Sequence, residues 1–418
     1  MTKKQPFLTI QQVKDIEKQF PTPFVIYDEK WIIRNMKYFH KSFEWSQNFQ
    51  NYFALKACPN PTILQILKKI WSGVDCSSLW ELVMSEMCWM TWENVMFTSN
   101  NTSIEEFKKA FDMKAIINFD DIRHIDFFKK HIWEMPKIAC CRFNPWPLKQ
   151  WNAIIWTPEE AKYWMRKDQI FSAYQQLKDL WVTHFWIHTM VASNELDVDY
   201  FIQTAKIIFT LVIEIEEKLW ITFEFVNLWG GIWIPYKIEQ IPVDLKKLSQ
   251  WIEQKYQEII WWKRKNPIKI VMECGRMITW PYWLLITKVE HVTEKYKQYV
   301  WVNASMQCLM RPALYWAYHH ITVLWKENEE NTHIYDVTWS LCENNDKFAI
   351  NRKLPEIIDG DYLAIHDAWA HGTAMGFNYN AKLRPSELLL KEDGSIELIR
   401  RSETLSDYFS TLYGINGF

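Results

Sequence analysis

Five short apolar runs each lead into residues that can do chemistry. Lys56 follows NYFAL (51–55), Asp75 lies inside SGVDC (72–76) and His188 closes HFWIH (184–188). Gly230 and Gly231 come just after FEFVN (223–227), and Glu273, Gly275 and Arg276 come just after KIVM (269–272). A lysine amine can be a Schiff-base nucleophile, and backbone N–H groups laid bare at glycine turns bind phosphate. A carboxylate facing a pyridine nitrogen keeps that ring protonated and makes it an electron sink. One lysine, two acids, a histidine and two glycine turns together describe a site for pyridoxal 5'-phosphate. Each has an ordinary reading when taken singly: a solvated lysine, a satisfied core histidine, a plain turn. Their order along the chain carries the argument.

The elements that must position these groups alternate. Eight β-branched or aromatic runs, the five above with VMFTS (95–99), AIIN (115–118) and IACC (138–141), are separated by helical stretches. Helix starts are marked by Ser103 with Glu106, by Asp197 ahead of a run to about Leu219, and by LKKLSQWIEQKYQEII (245–260). Parallel strands need crossovers, so the pattern predicts an α/β fold, a (β/α)8 TIM-type barrel whose strand ends gather the reactive groups. A doubly wound open sheet would give a similar alternation. Residues 1–30 read as a helix capped by Thr9 and Gln12 followed by the strand PFVIYD, packing on a β domain; residues 31–284 are the barrel. Residues 285–418 change to strand-like segments such as HHITVLWK, THIYDVTW and DYLAIHD, an expected C-terminal antiparallel β domain.

These motifs resemble, in order, those of diaminopimelate decarboxylase, one of the fold-type III pyridoxal-phosphate decarboxylases that include the ornithine and arginine enzymes. YFALKACPNP (52–61) resembles the cofactor-lysine segment, GVDCSS (73–78) the Asp-containing strand, and NLWGGIWIPY (227–236) the glycine-triplet phosphate loop. ECGR (273–276), RPALYWAYH (311–319) and LCENND (341–346) resemble the Glu-Pro-Gly-Arg motif, a substrate segment and the catalytic Cys-Glu loop. The resemblance implies that Lys56 carries the cofactor, that Glu273 pairs with the pyridine nitrogen, and that Asp75 lies nearby. It implies that Gly230, Gly231, Gly275, Arg276 and Ser193 hold the phosphate and that His371 replaces a cofactor-contacting tyrosine. Arg276, Arg311 and Tyr315 would grip the far carboxylate of the substrate, Glu343 its distal ammonium group, and Cys342 would reprotonate Cα. The implied reaction converts meso-2,6-diaminopimelate to L-lysine and carbon dioxide in a homodimer with shared sites. A site with cations and an anion suits a substrate bearing an amine and a carboxylate at each end. Ornithine, arginine and carboxynorspermidine are the alternative substrates, and an inactive cofactor-binding or structural homologue is the alternative of another class. In IHTMVASNELD (187–197) Met190 falls where relatives have a ring-stacking histidine, so either His188 or Met190 could cover the ring.

The balance of 48 basic and 50 acidic residues in 418 gives no electrostatic reason to bind nucleic acid or an anionic membrane. No long apolar run suggests a membrane span, and MTKKQPFLTIQQVKDIEKQF lacks the apolar stretch of a secretory signal, so a cytoplasmic location is expected. The eight cysteines have no metal spacing and read as reduced thiols, and no metal site is expected. One feature is abnormal: 10 glycines against 26 tryptophans, with glycine at about 2% instead of roughly 7%. Trp229, Trp233, Trp280 and Trp369 sit at turns, and Trp229, Trp233, Trp283, Trp316, Trp339 and Trp369 fall where relatives have glycine. The pattern predicts glycine at most of these positions in the natural chain, through a codon, UGA, that the source reads as glycine. Some tryptophans, Trp45 among them, are expected to be genuine.

Overall fold

Thr9 accepts from the Gln12 N–H while the Gln12 side chain returns to the Thr9 N–H, and this capping box starts the helix Ile10–Glu17. Strand β1 (Phe24–Asp28) follows. Eight strands then close into a barrel in chain order: β2 (Gln50–Ala54), β3 (Gly73–Cys76), β4 (Val95–Thr98), β5 (Ile116–Phe119), β6 (Ile138–Phe143), β7 (His184–Thr189), β8 (Phe223–Asn227) and β9 (Lys269–Met272). All eight runs expected from the sequence are present, every neighbouring pair is parallel, and β2 closes on β9. The strands read as continuous apolar runs because helices cover one face and the barrel interior the other. Helix starts are capped by side chains: Asn60, Ser78, Ser103, Asp197 and Asp244 each accept a backbone N–H of the first turn.

The structure is a computed structural model that describes residues 4–145, 161–190, 197–232, 234–279, 282–368 and 372–412. It comprises two units: Ile33–Ile234 with Pro242–Ile278, which is the barrel, and Met1–Ile32 with Pro235–Ile241 and Thr279–Phe418. The second unit is a sheet of β1 with β10 (Trp283–Glu294), β11 (Gln298–Val302), β12 (Ile321–Val323), β13 (His333–Thr338), β14 (Lys347–Leu354), β15 (Tyr362–His366), β16 (Ser386–Leu390) and β17 (Ile396–Arg400). Its main path runs β14-β13-β11-β10-β1-β16-β17, with β15 pairing β10 and β12. The sheet is mostly antiparallel, but β1 lies parallel to β16 and β11 parallel to β13. The N-terminal strand thus sits inside this sheet, where Phe24 and Ile26 join Val13, Ile16, Leu284, Ile286 and Leu388 in one core.

The tryptophans have a physical signature. Of the sixteen non-glycine residues at positive φ among those described, ten are tryptophan: 71, 89, 92, 133, 164, 181, 220, 229, 316 and 325. Several sit just past a helix. Trp181 donates to the Lys178 carbonyl and Val182 to the Leu177 carbonyl, the paired bonds of a Schellman ending, and the same pair recurs at Trp71 and at Trp89. At that position glycine is the usual residue, because a Cβ meets the carbonyl in the left-handed conformation. The indoles gain little in exchange: Trp71, Trp89, Trp133, Trp181 and Trp220 are all 80–90% exposed. Left-handed backbone costs roughly 1–2 kcal/mol per residue, so ten such sites carry about 10–20 kcal/mol, the scale of a whole domain's stability of roughly 5–15 kcal/mol. Trp283 and Trp339 are not at positive φ; Trp283 is buried at the start of β10, edge-on to Tyr27 at 4.4 Å.

Candidate active site

Inside the barrel Tyr52, Met96, Ile116, Cys140, Trp186, Phe225 and Val271 form an apolar layer. Residues two apart on a strand share a face, so the layer above it, toward the C-terminal strand ends, is set by adding two. Met96, Ile116, Cys140, Trp186, Phe225 and Val271 lead to Thr98, Asn118, Arg142, His188, Asn227 and Glu273. Asp75 stands two residues beyond Gly73, and Lys56 lies in the short 3-10 turn Leu55–Ala57 that follows β2. Every strand of the barrel therefore supplies a polar group to one mouth.

The two carboxyls there are driven apart. Asp75 is 1% exposed; burial, and then the charge of Glu273, push its carboxyl well above the usual range, with Lys56 and Thr98 acting the other way. Its Oδ1 accepts from Thr98 Oγ1 at 2.8 Å, Thr98 in turn accepts from Asn118 Nδ2 at 2.5 Å, and its Oδ2 stands 4.0 Å from Lys56 Nζ. Burial alone would also raise Glu273, but His188, Arg142 and Lys56 outweigh it and hold the carboxyl below its ordinary value. Glu273 Oε1 accepts from Asn227 Nδ2 at 2.6 Å, and Oε2 stands 3.5 Å from His188 Nε2. Two neighbouring carboxyls whose surroundings push them in opposite directions make this mouth the candidate functional site. The Lys56 side chain is 46% exposed, so its amine is open to an incoming carbonyl.

The loops beside them are built for close backbone approach. A Cβ at Gly230 would stand 2.3 Å from the Glu273 carbonyl oxygen, so no other residue fits, and Gly231 has φ +77°. Gly275 packs against Ala54 and Ala57, which flank the Lys56 turn. The chain thus brings Lys56, Asp75, His188, Gly230, Gly231, Glu273, Gly275 and Arg276 into one region of the barrel unit. Among the described residues nothing accepts from the N–H groups of Gly230, Gly231 or Gly275. Three uncommitted N–H donors, an ionised carboxylate and an open lysine are the donor set that pyridoxal phosphate requires, and the residues present fit it. The strained member is Trp229, at φ +53°, with its indole buried and stacked on Phe201 at 5.4 Å.

The other candidate residues belong to the β-sheet unit or lie outside the described residues. Arg311 is buried and donates from Nη1 to Tyr236 Oη at 2.9 Å, with His319 Nε2 at 3.3 Å; Tyr315 is 54% exposed. Cys342 and Glu343 are exposed, and Asn380 grips the cysteine twice: its Oδ1 accepts from the Cys342 N–H at 2.9 Å and its Nδ2 reaches Sγ at 3.3 Å. Ser193 and His371 lie outside the described residues, as do Trp233, Trp280 and Trp369. The sequence reading missed Thr98, Asn118, Arg142, Asn227, Asp120 and Asn380. The first four were findable as polar residues two positions beyond an apolar strand residue.

A closed (β/α)8 barrel with a lysine and two buried carboxyls at its mouth, followed by a β domain, is the framework of a pyridoxal-phosphate enzyme. Residues 29–280 match the pyridoxal binding domain of the pyridoxal-dependent decarboxylases, and the chain belongs to that family. It is 35% identical over 394 residues to protein TabA of Pseudomonas amygdali pv. tabaci, covering 94% of this chain and 92% of the relative. It is 30% identical over 396 residues to a diaminopimelate decarboxylase of Methanothermobacter thermautotrophicus, with the same coverage of 94% and 92%. The solved diaminopimelate decarboxylase of Methanocaldococcus jannaschii in complex with L-lysine matches with a TM-score of 0.87 at 28% identity, over 97% of this chain and 95% of that one. The Helicobacter pylori enzyme complexed with L-lysine gives 0.85 at 26% identity, over 95% and 98%. Among the described residues, no helix is long and apolar enough to cross a membrane, and no group of acidic, histidine and cysteine side chains could hold a metal ion.

Proposed function

We propose that the chain decarboxylates meso-2,6-diaminopimelate to L-lysine and carbon dioxide with pyridoxal 5'-phosphate. The observation that carries the reading is the placement of the open Lys56 amine 4.0 Å from the buried Asp75 carboxyl, at the barrel mouth that also holds Glu273 with its His188 and Asn227 partners. When bound, the cofactor's protonated ring withdraws the electron pair left on Cα as the carboxylate departs. Lys56 anchors the cofactor, Glu273 holds a proton at the ring nitrogen, and the Gly230–Gly231 and Gly275–Arg276 turns offer N–H donors to the phosphate. Arg276, Arg311 and Tyr315 take the distal carboxylate, Glu343 the distal ammonium, and Cys342 returns a proton to Cα. The exposure of Cys342 and Glu343 supports a homodimer in which this loop serves a second copy's site, and the proposed place of work is the cytoplasm. Rates on diaminopimelate and on ornithine test the reading: a clear preference for diaminopimelate is expected. A preference for ornithine, which has no distal carboxylate for the arginines, would refute it.

A further inference from the structure

The proposed reaction gives the buried charge of Arg142 no task. Arg142 is 7% exposed inside the barrel, and its guanidinium is committed on three sides. Nη1 donates to Asp120 Oδ1 at 2.6 Å, Nε donates to His188 Nδ1 at 3.0 Å, and Nη2 lies 3.9 Å from Met190 Sδ. Asp120 is itself held, its Oδ2 accepting the Trp164 N–H at 3.3 Å. A buried ion pair of this kind seldom adds stability over apolar packing, so its geometry asks for another reason.

The chemistry of the Arg142 to His188 bond supplies one. A guanidinium nitrogen can only donate, so His188 Nδ1 must accept and the ring proton must sit on Nε2. Nε2 faces Glu273 Oε2 at 3.5 Å and has no closer partner among the described residues. Burial, with Arg142 adding to it, keeps His188 neutral against the pull of Glu273. The imidazole therefore turns an N–H toward the carboxylate without carrying a transferable charge. In the opposite tautomer a lone pair would face that carboxylate and favour its protonation. The fork matters as much as the charge, because one planar group meets Asp120 and His188 together in fixed directions.

We propose that Asp120 and Arg142 act as a positioning pair that locks His188 in its Nε2–H tautomer and so keeps Glu273 the anion that holds a proton on the cofactor's ring nitrogen. The proposal deepens the reading above and rests on it. Besides His188, the charged or titratable groups around Glu273 among the described residues are Arg142, Lys56 and Asp75, with the buried thiols of Cys140 and Cys274.

The test is the 15N NMR shift of pyridoxal phosphate labelled at the ring nitrogen and loaded into the protein. Wild type and Glu273→Gln define the protonated and unprotonated ends. Arg142→Met and His188→Phe are each expected to move the shift at least half of the way toward Glu273→Gln. Arg142→Lys, which keeps the charge but loses the fork, should fall between Arg142→Met and wild type. If Arg142→Met and His188→Phe both bind cofactor with the wild-type shift, the proposal is overturned. A wild-type shift already at the unprotonated end would instead defeat the pairing of Glu273 with the ring. Should Arg142→Met fail to fold, as its apo melting curve would show, His188→Phe decides.

Discussion

Replacing Trp181 by glycine should stabilise the protein, although it deletes the largest side chain for the smallest. Trp181 has φ +64° and closes a Schellman ending through its N–H to Lys178 and the Val182 N–H to Leu177. Its indole is 90% exposed. A tenth of a tryptophan surface of about 250 Å², at about 25 cal/mol per Å², is worth roughly 0.6 kcal/mol. The left-handed backbone costs roughly 1–2 kcal/mol in a residue with a Cβ and almost nothing in glycine. The net expectation is a gain of about 1 kcal/mol, a rise in melting temperature on the order of 2 °C in a chain of this size. Combining Trp71, Trp89, Trp133, Trp181, Trp220 and Trp316, which sit at six different helix ends, should approach six times that if the sites act independently. Trp45→Gly is the control. Its Nε1–H donates to Ser249 Oγ at 2.8 Å, its half-buried ring lies 5.4 Å from Tyr256, and its φ is not positive; it should lower the melting temperature. Differential scanning calorimetry of the apo proteins reads both. Should Trp181→Gly melt at or below wild type, the strain argument, and with it the glycine reading of these positions, would be wrong.

Four further outcomes follow from the same geometry. Phe225 is 1% exposed in the apolar layer inside the barrel; Phe225→Ala empties that site and should lower stability by about 3–5 kcal/mol, read as a lower melting temperature. Glu273→Gln should cut turnover on the order of a hundredfold or more while the enzyme still binds cofactor, measured as steady-state rate beside cofactor stoichiometry. Asn380→Ala frees Cys342 Sγ and should lower kcat about tenfold or more with an unchanged cofactor absorbance band, since the thiol proposed as proton donor would no longer be held in place. Burial pushes Asp367 up to about 6, against the pull of Lys4 and Arg311. A folded-state value above the unfolded one gives stability that is complete below about pH 4 and is lost as pH rises through 6, on the order of 3 kcal/mol; Asp367→Asn should flatten that part of a stability profile measured by denaturation from pH 4 to 7.

The barrel was readable because most of its strands are buried on both faces and leave a short apolar run, as VMFT and IINF show. β14 was not: its residues alternate irregularly between buried and exposed, so KFAINRKL carries no clean period. The parallel pairing of β1 with β16 joins residues some 360 positions apart in sequence, which no local pattern records. Within the site, Lys56, Asp75 and Glu273 stood out by charge beside apolar runs. Arg142 escaped because the run IACC was ended one residue before it, and Asn227 because a strand's last asparagine passes for a turn former. Trp229 was legible from its neighbours Gly230 and Gly231, while Trp71, Trp89 and Trp181 needed the backbone angles to declare themselves.

Borohydride reduction of the cofactor-loaded protein, followed by proteolysis and peptide mass mapping, tests the central claim most directly, since it fixes the cofactor to whichever amine holds it. The account predicts one phosphopyridoxyl group per chain, on the peptide containing Lys56, and none in Lys56→Ala. Label on another lysine, or a chain that takes up no cofactor at all, would contradict it.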